Sequence, residues 1–422
     1  MPDMKRNLFF CFLVIFLCLA VGYEIFTLWR GKVLGQKGFT KESLLEAAEV
    51  DPMNPEPFYK LGVLHQWNLL NLNVKESNAY LQKAIEKNPL EQDYWLNLAK
   101  GLLKMEEAKA SEKALENAIS VFPTGYQGRW IAGNLLLQQG DIEKALPHFS
   151  YILTYYPNQS RSVYDVWTIA VDDPDFMLER LVPKDPSPLN QYLSYLYETG
   201  DKDAAIRAWN AKISLGQKAN RDESLRHVEF LISHSELNEA FRVWKAELRE
   251  QDLAPSSDNH LITNGGFEAG QIAGGGFDWR MGSVPGAEVS LDRSVALEGK
   301  SSLRIKFNGK ENVDFQHLYQ YVSLKPDTHY LLKARMKTKG VTTKSGLMLE
   351  VSGVGPAFYG ASNALTGDND WTELAVAFQT PAESQGGIVR VRRPATSKFD
   401  RLIAGEVWID NVQLTETTSL GQ

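Results

Sequence analysis

The sequence predicts a multidomain chain, α then β: an N-terminal transmembrane helix, an α-solenoid of helical hairpins, and a C-terminal β-sandwich (jelly roll). Three observations predict it. Residues 8–29, LFFCFLVIFLCLAVGYEIFTLW, are apolar apart from Glu24 and Thr27. Three segments end on proline, AIEKNP at Pro89, ISVFP at Pro123 and ILTYYP at Pro157, 34 residues apart each time. Beyond residue 261 the apolar residues change from helical spacing to alternation, the period of a strand with one buried face.

An apolar helix of about 20 residues spans a bilayer core, so residues 8–29 read as an anchor. Lys5 and Arg6 precede it. Positive charge keeps its side of a span cytoplasmic, which makes residues 1–7 a cytoplasmic tail and the bulk of the chain extracytoplasmic. The rival is a signal peptide cleaved near Ala20-Val21-Gly22, but apolar residues continue to Trp29 and favour the anchor. Leu17 stands where a lipidated Cys18 would need a small neighbour. Both cysteines, Cys11 and Cys18, lie inside this run, so the exported part has no disulfide and no cysteine metal site. The net charge of −7 over 422 residues, with no basic excess in either half, argues against nucleic-acid binding.

Residues 40–251 carry the repeat. Counting back from each proline gives two helices and a short turn. Trp95, Leu98 and Ala99 fill the first helix of one unit, and Ser111, Leu115 and Ala118 the second. In the next, Gly133 and Ala145 are the small residues and Gly140-Asp141 the turn. Small residues let paired helices approach, and the terminal proline resets the chain. The first unit keeps Leu61-Gly62 and Ala84 but has about three extra residues around 70–73. Gly200-Asp201, Ala205 and Trp209 recur as Ser235-Glu236, Ala240 and Trp244. Between them, prolines 174, 183, 186 and 188 break the array. Five hairpins result. The pattern resembles the tetratricopeptide repeat, whose period is 34 residues. The resemblance implies a groove that docks a protein partner, or a spacer. Tyr155, Tyr156, Tyr192, Tyr195 and Tyr197 read as core at helical spacing.

Residues 252–260 have linker composition. In 261–418, strands are expected at Leu303–Phe307, Leu318–Leu324, Tyr330–Met336, Leu347–Val351, Leu374–Phe378, Val389–Val391 and 406–414, about eight in all with one unassigned, the count of a sandwich. The module opens with LITNGGFEAG and FDWR, passes through LEGKSSLRI, and closes on Trp408-Ile409-Asp410-Asn411-Val412. This order resembles the galactose-binding-like jelly rolls of carbohydrate-binding modules. The resemblance implies a structural calcium between first and last strands, with carboxylates from Glu268 and Asp410 and backbone oxygens near Gly266 and Lys300. Calcium takes such hard oxygen ligands. The alternative is that both carboxylates bond backbone amides. Sugar binding would use an outer sheet face. Strand phase turns His317, Tyr319 and Tyr321 outward, with Lys333 and Arg335, Met348 and Glu350, and Arg390 and Arg392. The alternative is an ordinary solvated face. Trp279 and Trp371 read as core or rim packing.

No catalytic residue is assigned. His-Glu-x-x-His, Gly-x-Ser-x-Gly and phosphate-loop motifs are missing from the sequence, and a glycosidase needs a second carboxylate opposite Glu350. The expectation is a non-enzymatic, single-pass bacterial inner-membrane protein. Its repeats would dock a protein and its jelly roll a polysaccharide, in exopolysaccharide or envelope-polysaccharide assembly or export. A purely structural scaffold and a carbohydrate-active enzyme are the alternatives.

Overall fold

A computed structural model describes residues 2–37, 40–69, 72–248, 261–269, 272 and 274–418, the side chains of 2–13, 31, 34–37, 247 and 248 excepted. The chain divides into two compact units, Met1–Leu215 and Gly216–Gln422. The expected linker, residues 252–260, lies outside the described residues.

The first unit opens with one helix, α1 (Pro2–Lys37), with no apolar face distinct from a polar one. Val14, Phe16, Leu19, Tyr23, Phe26 and Trp29 are all more than half exposed. Among the described residues, no helix is long and apolar enough to cross a membrane. The span expected at residues 8–29 begins among side chains that lie outside the described set. Helix α2 (Lys41–Val50) follows, capped by the Thr40 hydroxyl, which accepts from the Ser43 amide.

Paired helices then alternate as the repeat predicts: α3 (Pro55–Trp67) with α4 (Val74–Lys87), α5 (Gln92–Lys104) with α6 (Ala108–Val121), and α7 (Tyr126–Gln138) with α8 (Ile142–Tyr155). The small residues sit where two helices touch. A Cβ on Gly133 would meet the Phe149 ring at 2.6 Å, and one on Gly62 would meet Leu81 at 2.6 Å. Ser77 donates to the Gly62 carbonyl across 15 residues, and Ser111 to the Ala99 carbonyl across 12, so the first turn does carry three more residues. After α9 (Ser160–Ala170) the proline cluster leaves only α10 (Pro174–Phe176) and a π-turn at Met177–Leu181. Proline cannot donate to a helix interior, and the array resumes at α11 (Pro186–Thr199) with α12 (Lys202–Ser214). Tyr192 and Tyr195 are core, whereas Tyr155 is exposed.

One turn recurs. Glu106, Gly140 and Gly200 close a first helix at φ 63°, 78° and 77°. The next residue's amide, of Glu107, Asp141 or Asp201, donates back to Leu102, Leu136 or Leu196, the left-handed helix ending that glycine favours. Glu106 carries a Cβ in that conformation, which costs about 1 kcal/mol. Glu106→Gly should therefore raise the unfolding free energy by about 0.5–1 kcal/mol, read from urea denaturation. An unchanged or lower midpoint would refute the assignment of this turn.

The second unit begins with helices, not strands. Helix α13 (Arg221–Ser233) starts at a capping box between Asn220 and Glu223, and α14 (Leu237–Leu248) follows a fourth left-handed residue, Ser235, at φ 65°. This fifth hairpin packs against the sandwich: Trp244 and Phe277 are both buried, with ring centroids 6.2 Å apart.

Among the described residues, ten strands form two antiparallel sheets. One holds β1 (Arg280–Met281), β4 (Phe315–Val322), β9 (Gly387–Arg393), β6 (Met348–Gly353) and β7 (Tyr359–Ala361), in that spatial order. The other holds β2 (Ala287–Asp292), β3 (Ser302–Asn308), β10 (Ala404–Glu416), β5 (His329–Val341) and β8 (Gly367–Gln379). The alternation is the cause: along β5, Tyr330, Leu332, Ala334 and Met336 are buried while their neighbours are not. Leu303, Ile305, Leu318, Val322, Leu349, Val389 and Val391 complete the space between the sheets. The opening segment is stitched to the closing strand, with the Val412 amide 2.9 Å from the Gly265 carbonyl and the Leu261 amide 3.3 Å from that of Leu414. Trp279 is core, beneath Phe267.

Candidate functional site

The outer face of the first sheet gathers most of the residues that strand phase turned outward. Tyr319 on β4 pairs in register with Arg280 on β1 and with Arg390 on β9, and Arg390 pairs with Glu350 on β6. The next row runs Tyr321, Ile388, Ser352 and Tyr359. Cross-strand neighbours lie about 5 Å apart, so these side chains form one continuous surface. His317 lies at its β1 edge, with Gly282 packed on its ring.

Polar contacts fix this surface. Glu350, only 7% exposed, lies 3.3 Å from Arg390 Nε and 3.8 Å from Arg392 Nε. Tyr359 donates its hydroxyl to Glu350 Oε2 at 3.1 Å, and Arg390 donates to the Ser352 hydroxyl at 2.8 Å. Arg392 donates to Asp314 and to the Phe315 carbonyl. Its hydrogen bond holds the Asp314 carboxyl below the usual range, against a smaller opposing effect of burial. The Tyr319 and Tyr321 rings meet edge to face at 5.9 Å and stay partly exposed, while Tyr359 is 64% exposed. Flat rings beside fixed donors and acceptors suit a ligand with one apolar face and a polar rim.

Arg335 does not join them. It lies on β5 of the opposite sheet, 3.0 Å from Glu373, which also pairs with Lys333. Outwardness alone could not tell the two sheets apart. Conversely, Arg280, Ser352, Asp314 and Tyr359 belong to the surface without having been singled out. Ser352 follows Met348 and Glu350 by parity. Tyr359 sits on a three-residue strand and Arg280 on a two-residue one, too short to show a period.

Glu268 and Asp410 form a second cluster, between the opening segment and β10. Glu268 Oε1 accepts the amides of Lys300 and Ser301 at 2.8 and 3.0 Å. Asp410, fully buried, accepts those of Leu297, Glu298 and Asn411. Lys300 thus contributes its amide and not the backbone oxygen expected of a metal ligand, and both carboxylates bond backbone amides, as the alternative to a metal site had it. Burial pushes the Asp410 carboxyl up, and the nearby Glu268 charge adds to it, against the pull of those amides. A Cβ placed on Gly266 would make ordinary contacts, 3.9 Å from Glu268 Cγ and 4.0 Å from Asp410 Oδ1. Among the described residues no three His, Cys, Asp or Glu side chains gather as a metal cluster.

Comparison with known proteins matches one segment in each unit. Residues 259–398 match the family described as carbohydrate binding domain, and residues 96–160 the tetratricopeptide repeat. The first unit thus holds a segment similar to tetratricopeptide repeats, and the second a domain similar to carbohydrate-binding modules. Among curated proteins, the tRNA(Glu)-specific nuclease WapA of Bacillus subtilis subsp. natto is 27% identical over 169 residues, 38% of this chain. The chain spans only 7% of the length of that relative. Among solved structures, the CBM22-1 xylan-binding domain of Paenibacillus barcinonensis Xyn10C is 16% identical, with a TM-score of 0.29 over 39% of this chain and 99% of that one. A family 16 carbohydrate binding module is 26% identical, with a TM-score of 0.26 over 37% and 99%. MamA is 22% identical, with a TM-score of 0.25 over 29% and 64%. The matched families are described by binding and repeat character, not by catalysis.

Proposed function

We propose that this chain is a membrane-anchored binding protein that holds a glycan on its sandwich and a protein on its repeats, without catalysis. One observation carries the glycan reading. Within the segment matched to a carbohydrate binding domain, three tyrosines and the Arg390–Glu350–Arg392 network share the outer face of one sheet. Rings take the C–H face of a sugar, and the fixed arginines and Glu350 bond its hydroxyls. Helix α1 would serve as the anchor. Its apolar side chains are exposed on every side from Val14 to Trp29, as lipid requires and water does not. Lys5 and Arg6 would keep its N-terminus in the cytoplasm of a bacterial inner membrane. A glycan held beside that membrane suits assembly or export of exopolysaccharide or envelope polysaccharide.

The test is calorimetric titration of the full chain in detergent with xylohexaose, cellohexaose and trigalacturonate. At least one should bind. Tyr319→Ala/Tyr321→Ala should weaken binding at least tenfold and shift the melting temperature little, because both rings are partly exposed. Equal and negligible binding by wild type and variant would remove the glycan and leave a protein scaffold.

Glu268 and Asp410 are the carboxylates that would hold a calcium ion, should one bind beside their amide contacts. The Glu268 charge helps raise the Asp410 pKa, and Glu268 Oε2 has no hydrogen bond among the described residues. Without a cation, the raised Asp410 pKa favours the folded state below the unfolded value near 4. That contribution fades as pH rises through the folded value. Calcium at about 100-fold its dissociation constant should then add about 2.7 kcal/mol at pH 7, seen as a higher melting temperature that chelator reverses. Glu268→Gln keeps the amide bonds through its carbonyl and should abolish the response. A melt indifferent to both calcium and chelator would remove the metal.

A further inference from the structure

The helical hairpin that opens the second unit reaches the candidate glycan face. Glu229 on α13 lies 2.7 and 3.0 Å from Arg280 Nη2 through its two oxygens. It also accepts the Gly276 amide, and Arg280 Nη2 donates in turn to the Gly276 carbonyl at 3.1 Å. The Arg280 guanidinium stands 5.0 Å from the centre of the Tyr321 ring, within the range of cation–π attraction. Arginine has many rotamers, and β1 is only two residues long, so the strand alone does not fix this side chain. A charged hydrogen-bond partner does. The hairpin in turn is held in place. Leu237 is fully buried against Gly386, Asn238 accepts from the Ser323 hydroxyl at 2.7 Å, and Trp244 packs on Gly276.

We propose that Glu229 is a positioning residue for glycan binding: it holds Arg280 over Tyr321, so that the ring–guanidinium pair forms one end of the sugar-binding face. The inference rests on the glycan reading above. Arg280 pairs in register with Tyr319, next to the Arg390–Glu350 network. Its Nε–H is buried without an acceptor among the described residues. The last helical hairpin is then part of the binding unit and not a spacer before it.

A double-mutant cycle on the full chain tests this, with whichever of xylohexaose, cellohexaose and trigalacturonate binds wild type. Glu229→Gln and Arg280→Ala should each lower affinity about tenfold, and the double variant no further than either single one. A purely structural role for Glu229 would instead add its loss to that of Arg280→Ala. Unchanged affinity in Glu229→Gln, or additive losses, overturns the proposal while the glycan reading stands. No binding by wild type overturns both. Should Glu229→Gln unfold, Arg280→Lys carries the test. It keeps the charge but lacks the planar fork, so it must lose affinity by a similar factor, and wild-type affinity there refutes the proposal.

Discussion

Gly276→Ala should lower the melting temperature of the second unit by about 5–15 °C. Two costs add at this residue. Its φ is +57°, a conformation that costs a residue with a Cβ about 1 kcal/mol. The new methyl would also lie 2.0 Å from the Trp244 ring, and that ring is buried with no room to retreat. Overpacking of this kind costs about 1–3 kcal/mol, which brings the total to roughly 2–4 kcal/mol. At about 2–4 °C per kcal/mol for a unit of this size, the shift is easily read by calorimetry. Gly274→Ala is the control. Its φ is +73° but nothing lies within 4 Å of the added Cβ, so it carries the backbone cost alone. Equal shifts in the two variants would mean that α14 does not press on the 274–277 loop, and the fused hairpin would be discarded.

The contact behind that prediction marks where reading the sequence stopped. Gly133 and Ala145 were legible as helix-packing positions because their spacing repeats, and Phe149 against Gly133 supplies the reason. Strands β3, β4, β5, β8 and β9 were legible because one face of each is buried and the period of two survives in the side chains. Tyr319, Tyr321, Glu350, Arg390 and Arg392 followed from that parity. What parity cannot supply is strand order. Arg335 and Arg390 alternate outward by the same rule, yet lie on different sheets, because pairing depends on contacts distant in sequence. Trp244 against Gly276 is equally silent. It joins a helical repeat to a loop of the sandwich, and neither segment's periodicity refers to the other. Short strands such as β1 and β7 hid Arg280 and Tyr359 for a simpler reason: two or three residues hold no period.

Arg392 and Arg393 put the same parity argument to a sharper test, because they are neighbours of one chemistry with opposite roles. Arg392 is on the outer face with Glu350 and Asp314. Arg393 turns inward and is fully buried. Its guanidinium donates to the carbonyls of Ser345 at 3.2 Å, Val313 at 2.6 Å and Arg401 at 2.9 Å, and to Asn312 Oδ1 at 2.9 Å. It thereby closes three loops at one end of the sandwich. Among the described residues no carboxylate makes an ion pair with it; Asp314 and Asp400 act only through their fields, partly offsetting the burial that pushes its pKa down. Arg393→Met fills the volume but takes the donor from the buried Val313 carbonyl and the part-buried Ser345 and Arg401 carbonyls, while Asn312 Oδ1 keeps the Thr396 amide; each stranded acceptor costs about 1–3 kcal/mol. Relaxation and water recover part of this, so the expected loss is about 3–5 kcal/mol, a fall in melting temperature of about 10 °C or more. Arg392→Ala should cost about 1–2 kcal/mol of stability, since Glu350 keeps Arg390 and Asp314 is half exposed, while weakening oligosaccharide binding. If Arg392→Ala melts as low as Arg393→Met, the outer face is structural and the division of labour between the two arginines is wrong. If Arg393→Met melts like wild type, its acceptors are satisfied in some other way, and the loops do not depend on the guanidinium.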